Sequence, residues 1–589
     1  MQRAVNVKGP KLKLHGLEHS ISRERKRHWK FRDPEAIFGL RGHDGSIPFF
    51  RFYPFLAAVF LILLVFLARL FSLTIVHGAQ NRDLSDNNRI HLVESEAPRG
   101  KVFDRNGSLL AQSQLSFILT QNGKDTSITA DQANELEKQG LAGENFKGDL
   151  GQIKQGVKRI YTLGEATAHA IGYTSTVSEA DIQGNNGLSK INSVGRLGVE
   201  QAYDNFLQGK PGAKLIEVDA LGKNVSILGA ELPLAGRDIH LTLDSGLQKI
   251  TYEALKKQVE KVGTKKGAVI IQNPQTGEVL ALVSAPSFNP LDIGKAVGDG
   301  DQPFFNRAIQ GVYPPGSVFK PVVAVAGLSS GKITPDTEIE DVGRFEVSGT
   351  TFSNWYFNQY GKKDGVIKVD RAIARSNDIF FYKVAEMVGI SDLHKTAVKL
   401  GFGQVTGIDL PGEAFGLVPD EVWKKSTLGE DWYVGDSMHL GIGQGFLLAT
   451  PIQINQMTSY VASGKLTKPY VVFRIDSGLG GGEINFKGDV KSENLVDSKF
   501  LDIVGLGMQE ACTTGGTGVP FFNAPYKVGC KTGTAEKTLG DPHAWFTAYA
   551  PFDKPVVTVT VVVENGGEGS VVAGPVAREI LDWWFKNRN

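Results

Sequence analysis

The chain has 589 residues, a formal net charge of +1, 69 glycines and two cysteines. That length holds two or three domains with tails, and the near-zero charge excludes a global field for nucleic acid. The high glycine count fits a turn-rich architecture, and Cys512 and Cys530 lack metal-site spacing.

Residues 1–53 carry twelve Lys/Arg against five Asp/Glu and few apolar runs, which predicts a basic tail without a packed core. Pro54 to Val76 then carries one charge, Arg69. It is long enough to span a bilayer and too long for a signal-peptide core, and no good cleavage site follows. Basic residues before it place the N-terminus inside and the remaining chain outside the cytoplasm. Arg69 is expected to snorkel to the outer interface or to meet a partner helix. In that compartment a disulfide is permitted, but two buried thiols are the simpler expectation for the cysteines.

Residues 77–96 are polar and mildly helical, as in a stalk. Val102-Phe103 and Leu109-Leu110-Ala111 flank Asn106-Gly107, a hairpin-turn pair. Arg99, Asp104 and Arg105 are either solvated charges around that turn or a network tying domains together. Asp131 to Gln139 reads as a short helix, and a second one opens in Gly195 to Tyr203. Residues 77–235 show no catalytic constellation and read as a platform. From about Asp238 the texture changes. Asp244 to Val262 reads as an amphipathic helix, Gly267 to Gln272 and Val279 to Val283 as strands, Val556 to Glu564 as a continuous β run, and Val576 to Trp584 as a closing helix. A sheet built from both chain ends, with a helical middle, makes an α+β arrangement.

Three stretches carry chemistry. In Tyr313-Pro314-Pro315-Gly316-Ser317-Val318-Phe319-Lys320-Pro321 the prolines and glycine delay the helix. Ser317 therefore falls at its N-terminus, with Lys320 on the same face. A Ser hydroxyl needs a base, and a Lys serves once burial lowers its pKa. The competing reading of Ser317 is a helix cap. Ser376-Asn377-Asp378 opens an apolar helical run and faces a cleft or caps that helix. Lys531-Thr532-Gly533-Thr534 reads as a strand edge able to pair with an extended peptide, Lys531 and Thr532 holding a carboxylate. Taken alone it is also an edge strand guarded by Lys.

Ser-x-x-Lys, Ser-x-Asn/Asp and Lys-Thr-Gly in that order form the set of penicillin-binding proteins and class A β-lactamases. With Arg99-Gly100, Asp104-Arg105-Asn106-Gly107, Gly198-Val199-Glu200, Ile442-Gly443-Gln444-Gly445 and Thr450-Pro451, the chain resembles a class B penicillin-binding protein from the membrane helix to the C-terminus. Asp378, and His543-Ala544-Trp545-Phe546 before Tyr549-Ala550-Pro551, resemble the elongation-type branch, penicillin-binding protein 2, more than the septal one. His543 is a catalytic helper or, more simply, a structural or substrate-lining residue.

The resemblance implies a basic cytoplasmic tail (1–53), a transmembrane helix (54–76), a strand-rich pedestal with a reduced head (77–235) and a transpeptidase domain (236–589). That last domain is expected to hold a central antiparallel sheet with helices on both faces and an all-helical subdomain. The resemblance also implies a D-Ala-D-Ala transpeptidase that cross-links peptidoglycan, with carboxypeptidase side activity. Ser317 is the implied nucleophile, Lys320 its base, and Ser376 the proton relay, with Asp378 orienting both. Lys531, Thr532, Asn377 and Gly533 line the substrate, and the N–H groups of Ser317 and Thr534 form an oxyanion hole. Implied partners are stem peptides, β-lactams and a polytopic membrane glycosyltransferase; the implied location is the inner membrane of a bacterial cell. No cofactor is expected. Some elongation-class relatives carry zinc between the first two motifs, but residues 318–375 contain no His or Cys, so no metal is expected here. The alternatives are a septal transpeptidase, a β-lactamase or β-lactam receptor, and a non-catalytic scaffold.

Overall fold

The computed structural model of the protein describes residues 49–121, 124–138, 142–143, 151–184, 191–218, 224–537 and 540–588. The expected basic tail lies outside the described residues apart from a short turn, Phe49–Phe52.

The first of two compact units holds helix α1, Tyr53–Phe71, with Pro54 in its first turn, where a missing N–H costs no hydrogen bond. A π-helical turn, Ser72–Val76, extends it to 24 residues, none of them buried, whose most apolar 18-residue stretch has a mean hydropathy of 2.7. At 1.5 Å per residue that is roughly 36 Å, enough to cross a hydrocarbon core. Among the described residues it is the one helix long and apolar enough to do so.

The second unit begins at residue 87. Its early part contains a three-stranded antiparallel sheet in which Gly212–Val218 lies between Ile90–Ser95 and Asn224–Glu231. Beside it in sequence, Val102–Phe103 and Leu109–Gln121 form the hairpin that Asn106-Gly107 predicts, with Gly107 at φ +82°. This hairpin joins an eight-stranded sheet. Gly151–Tyr161 pairs along Leu109–Gln121, while Ile239–Leu241 and Val472–Ile475 continue the sheet on the other side. The platform sheet thus takes strands from beyond residue 236.

The charges around the hairpin are a buried network. Glu200 is fully buried and receives Arg99 at 2.8 Å and Arg159 at 2.7 Å; Arg99 also meets Asp204 at 2.8 Å. Asp104 accepts from the backbone N–H groups of Asn106, Ser108 and Ser245, and Arg105 reaches Glu278 at 3.5 Å.

The chemistry rests on a five-stranded antiparallel sheet. Its strands are β1 (Gly267–Gln272), β2 (Val279–Ala285), β3 (Gly529–Ala535), β4 (His543–Ala550) and β5 (Val557–Val563), in the order β2-β1-β5-β4-β3. All but one of their residues are buried, as a sheet covered on both faces requires. Helix α2, Ser245–Lys261, capped by Asp244, and the terminal helix, Ala573–Asn587, cover one face. Helices α3 (Lys320–Ser329), α4 (Val369–Arg375), α5 (Asp378–Lys399), α6 (Pro451–Ser463) and α7 (Ser498–Ala511) belong to the helical part, and α6 and α7 pack on the other face. Thr450-Pro451 earns its place as a capping box: Thr450 Oγ1 accepts from Gln453 N, and Gln453 Oε1 accepts from Thr450 N. Small hairpins interrupt this helical part, notably Arg344–Val347 with Thr350–Ser353.

One expectation is corrected. Cys512 and Cys530 form a disulfide, with Cα atoms 5.9 Å apart, rather than two separate thiols. The end of α7 packs against β3, which brings the two side chains together across 18 residues of sequence.

Candidate active site

Ser317 lies in a short 3-10 turn, Gly316–Phe319, that runs directly into α3. Pro314, Pro315 and Gly316 hold back the helix as expected, and Gly331 at φ +68° follows its end. Gly316 sits at φ +58° and donates its N–H to Gly443 O at 2.8 Å. A Cβ on Gly443 would collide with the Gly316 carbonyl, so the Ile442-Gly443-Gln444-Gly445 turn is built to press on the Ser317 loop. From the opposite side, a Cβ on Gly533 would meet Val318 Cγ1 at 3.0 Å and Pro315 O at 3.1 Å. Glycine at 533 lets the edge strand β3 lie directly on the turn that carries Ser317.

Ser376 closes α4 in the left-handed region, φ +53°, an uncommon conformation for a serine. Asn377, not Ser376, caps α5: its Oδ1 accepts from Phe380 N at 2.9 Å. The sharp turn points the Ser376 hydroxyl inward, to two lysines. Lys531 Nζ donates to Ser376 Oγ at 2.8 Å, and Lys320 Nζ reaches the same oxygen at 3.4 Å. Lys320 Nζ also donates to Asp378 Oδ1 and to the Ser376 carbonyl, both at 2.7 Å. Lys531 spends a further proton on the Thr532 carbonyl at 2.8 Å.

Both lysines are fully buried. Burial holds the Lys320 amine below its ordinary pKa of 10.5, against the opposing pull of Asp378. Burial pushes Lys531 further down, aided by the charge of Lys320 and only partly offset by Asp378. Asp378 touches Lys320 directly and Ser376 through it. Among the described residues the Ser317 hydroxyl makes no hydrogen bond to either lysine, although Ser317 and Ser376 line the same cleft of about 560 Å³. Contacts of that kind tighten when a substrate arrives.

The cleft wall also includes Asp378, Thr532, Thr534 and Glu536, placed by the edge strand and by the start of α5. Because β3 is the last strand of its sheet, its outer edge is open to an extended peptide. His543 lies elsewhere. It is buried on β4, its Nδ1 accepts from Asn565 N at 3.2 Å, and its ring packs edge-on to Tyr313 at 5.3 Å. Desolvation lowers its pKa to about 4, so the ring is a neutral packing element.

Sequence reasoning missed the support behind Ser376. Asp341, nearly fully buried, accepts at Oδ2 from Asn354 Nδ2 (2.8 Å), Asn377 Nδ2 (2.9 Å) and Asp364 N (2.8 Å). Asn354 Oδ1 in turn accepts from Asp378 N at 3.1 Å, and Trp355 N donates to Asp378 Oδ2 at 2.9 Å. Arg375 Nε meets Asp364 Oδ1 at 2.8 Å. Residues 341–364 are therefore an arm that grips the Ser376-Asn377-Asp378 turn by its amides. Thr517 and Gly516, at the cleft beside Thr532, were missed as well; the three glycines around Thr517, Gly515, Gly516 and Gly518, were the available signal.

Comparison with known proteins agrees with this geometry. The penicillin binding protein transpeptidase domain family matches residues 267–582, and the penicillin-binding protein dimerisation domain family matches residues 121–241. The peptidoglycan D,D-transpeptidase MrdA of Acinetobacter baumannii is 31% identical over 90% of this chain and 86% of its own length. Its Escherichia coli K12 counterpart is 32% identical over 88% and 91%. The crystal structure of Pseudomonas aeruginosa PBP2 in complex with WCK 5153 superposes with a TM-score of 0.67 at 31% identity, covering 85% of this chain and 97% of that one. Helicobacter pylori PBP2 in its complex with MreC gives 0.68 at 28% identity, covering 84% and 99%.

Proposed function

The chain belongs to the penicillin-binding protein transpeptidases, in the penicillin-binding protein 2 branch, and from that premise we propose that it cross-links peptidoglycan stem peptides through an ester on Ser317 during cell elongation. The observation that carries the assignment is the meeting of Lys320 and Lys531 on Ser376 Oγ, inside the cleft that Ser317 lines.

Ser317 Oγ attacks the carbonyl of the penultimate D-Ala of a donor peptide, and its proton passes to Lys320, whose burial favours the neutral amine. The N–H groups of Ser317 and Thr534 receive the developing oxyanion, an effect of roughly 3–4 kcal/mol per donor. The carbon–nitrogen bond breaks, and the terminal D-Ala leaves with a proton relayed through Ser376. The amine of a second stem peptide then attacks the ester and returns the proton to Ser317 Oγ by the reverse path. Asp378 fixes Lys320, while Lys531 and Thr532 hold the donor's terminal carboxylate, with Asn377 and Gly533 shaping the groove. A β-lactam takes the donor's place and stalls as the acyl-enzyme.

The membrane-anchored chain has its N-terminus in the cytoplasm and its catalytic part, residues 236–589, outside the inner membrane, raised on the pedestal of residues 77–235. It works beside a polytopic membrane glycosyltransferase that supplies glycan strands. The complex of its Helicobacter pylori relative with MreC supports a place in a wall-building assembly.

The test is covalent labelling of the full chain in detergent with a fluorescent penicillin. Ser317→Ala is expected to abolish the label with the fold intact by circular dichroism; a persistent label would overturn the assignment of Ser317. Rapid loss of the label as hydrolysed drug would favour a β-lactamase instead.

A further inference from the structure

Between the end of α7 and β3 the chain makes a tight loop, residues 512–519. Cys512 follows the last residue of α7, and Cys530, its disulfide partner, directly precedes Lys531. The loop is fastened at more points than this. Gly518 N donates to Ala511 O at 2.7 Å, and Arg375 Nη1, next to Ser376, donates to Gly515 O at 3.1 Å. A Cβ on Gly518 would meet Cys530 Sγ at 2.5 Å and Ala511 O at 3.0 Å, so only glycine lets the chain pass over the bridge this closely. The loop ties the strand of Lys531 to the turn of Ser376, and it presents one hydroxyl to the cleft, that of Thr517.

Thr532 Oγ1 donates to Thr517 Oγ1 at 2.9 Å, and the other partner of Thr517 is the Ala374 carbonyl, at a long 3.4 Å. Lys531 already gives protons to Ser376 and to the Thr532 carbonyl. The hydroxyls of Thr532 and Thr517 join Lys531 at this end of the cleft, and they rotate freely to suit an anion. The buried amines of Lys320 and Lys531 stand behind them.

We propose that Thr517 is a recognition residue for the terminal carboxylate of the donor peptide, donating to it beside Thr532, and that the Cys512–Cys530 disulfide holds it in place. When the carboxylate enters, Thr532 turns its proton from Thr517 to the anion, and Thr517 exchanges its weak contact with Ala374 for a charge-assisted one. A loop fixed at both ends and in the middle delivers that hydroxyl without reordering. The inference rests on the acyl-transfer reading above.

The experiment compares acylation of the full chain by benzylpenicillin and by its methyl ester, which lacks the anion. Thr517→Val is expected to lower the second-order rate with the free acid about tenfold, the scale of one hydrogen bond to a charged group, while leaving the ester nearly unchanged. Thr517→Ser restores the parent acid-to-ester ratio. Thr517→Ala gives the same loss as Thr517→Val and serves if that variant folds poorly. The paired variant Cys512→Ala with Cys530→Ala lowers the ratio as well. Equal losses with acid and ester, or an unchanged ratio in Thr517→Val and Thr517→Ala, overturn the role of Thr517. An unchanged ratio in the cysteine variant overturns the part assigned to the bridge. Acylation that survives Ser317→Ala would instead strike the acyl-transfer reading itself.

Discussion

Lys531 Nζ lies 2.8 Å from Ser376 Oγ, closer than Lys320 Nζ at 3.4 Å, so the serine of the second motif is bonded first to the lysine of the third. Two buried amines around one hydroxyl do not both keep a proton easily. Lys320 has Asp378 as counter-ion, and Lys531 feels Lys320 as a like charge. The pair therefore gives up a proton more readily than an isolated lysine does, and Ser376 connects the two amines as a proton path.

The lowering shared by both amines predicts the pH dependence of acylation. Both amines sit below the ordinary lysine value of 10.5, and a base works only when neutral. The rate is low at acid pH, rises with pH through the lowered lysine pKa, and levels off while an ordinary lysine would still be charged. Stopped-flow acylation from pH 5 to 10 reads this rise. Lys320→Arg puts a cation that does not lose its proton in place of the base, so it is expected to lower the acylation rate by about 100-fold or more and to flatten the rise.

A second prediction concerns the arm behind Ser376. Asp341 Oδ2 receives three N–H donors and Oδ1 receives Gly343 N. Asp341→Asn keeps the shape but puts an amide NH2 against at least one of those donors. One buried donor left without an acceptor costs about 1–3 kcal/mol. The expected outcome is a lower melting temperature together with slower penicillin labelling, because Asn377 and Asp378 lose their common support. Thermal melts and labelling rates on the same preparation measure both.

The residues of the three motifs were legible in the sequence because the chemistry demands particular side chains at fixed spacings, as in Ser317 and Lys320. The strands β1 and β5 were legible as apolar runs and the helix α2 from its amphipathic pattern, while the Asp244 cap emerged only with the fold. The arm was not. Asp341 reaches its partners Asn354 and Asn377 across 13 and 36 residues, and an Asp or Asn in a polar stretch announces nothing about which amide it will meet. The disulfide was hidden for the same reason, since its geometry depends on how α7 seats on β3. Arg99 and Glu200 could be read as landmarks, but only the fold turns them from surface charges into a buried network.

The disulfide gives the third prediction. Closing a loop of this length removes conformations from the unfolded chain, worth about 3 kcal/mol in the chain-entropy view. The bridge is buried, with Cys530 fully enclosed and Cys512 nearly so. Mild reductant on the folded protein is expected to leave it intact, while the paired Cys512→Ala and Cys530→Ala variant unfolds at lower denaturant. Thiol counting with and without denaturant, followed by a urea titration monitored on the catalytic part, distinguishes these two outcomes.

The last prediction tests the platform. Glu200 is the shared anion of Arg99 and Arg159, and all three side chains are buried. Removing it does not leave the two arginines equal. Arg99 keeps Asp204 at 2.8 Å, whereas Arg159 keeps only neutral partners, chiefly the Gly100 carbonyl at 2.8 Å. A buried charge that loses its counter-ion costs about 3–5 kcal/mol, far more than a surface pair is worth. Glu200→Gln is therefore expected to destabilise the platform strongly, and Asp204→Asn only mildly, because Arg99 would still hold Glu200. Denaturant titration of both variants checks the order, and proteolysis in the region of residues 99–113 checks the place. If Asp204→Asn were the more damaging change, Arg99 would depend on Asp204 rather than on Glu200, and the assignment of Glu200 as the central anion would fail.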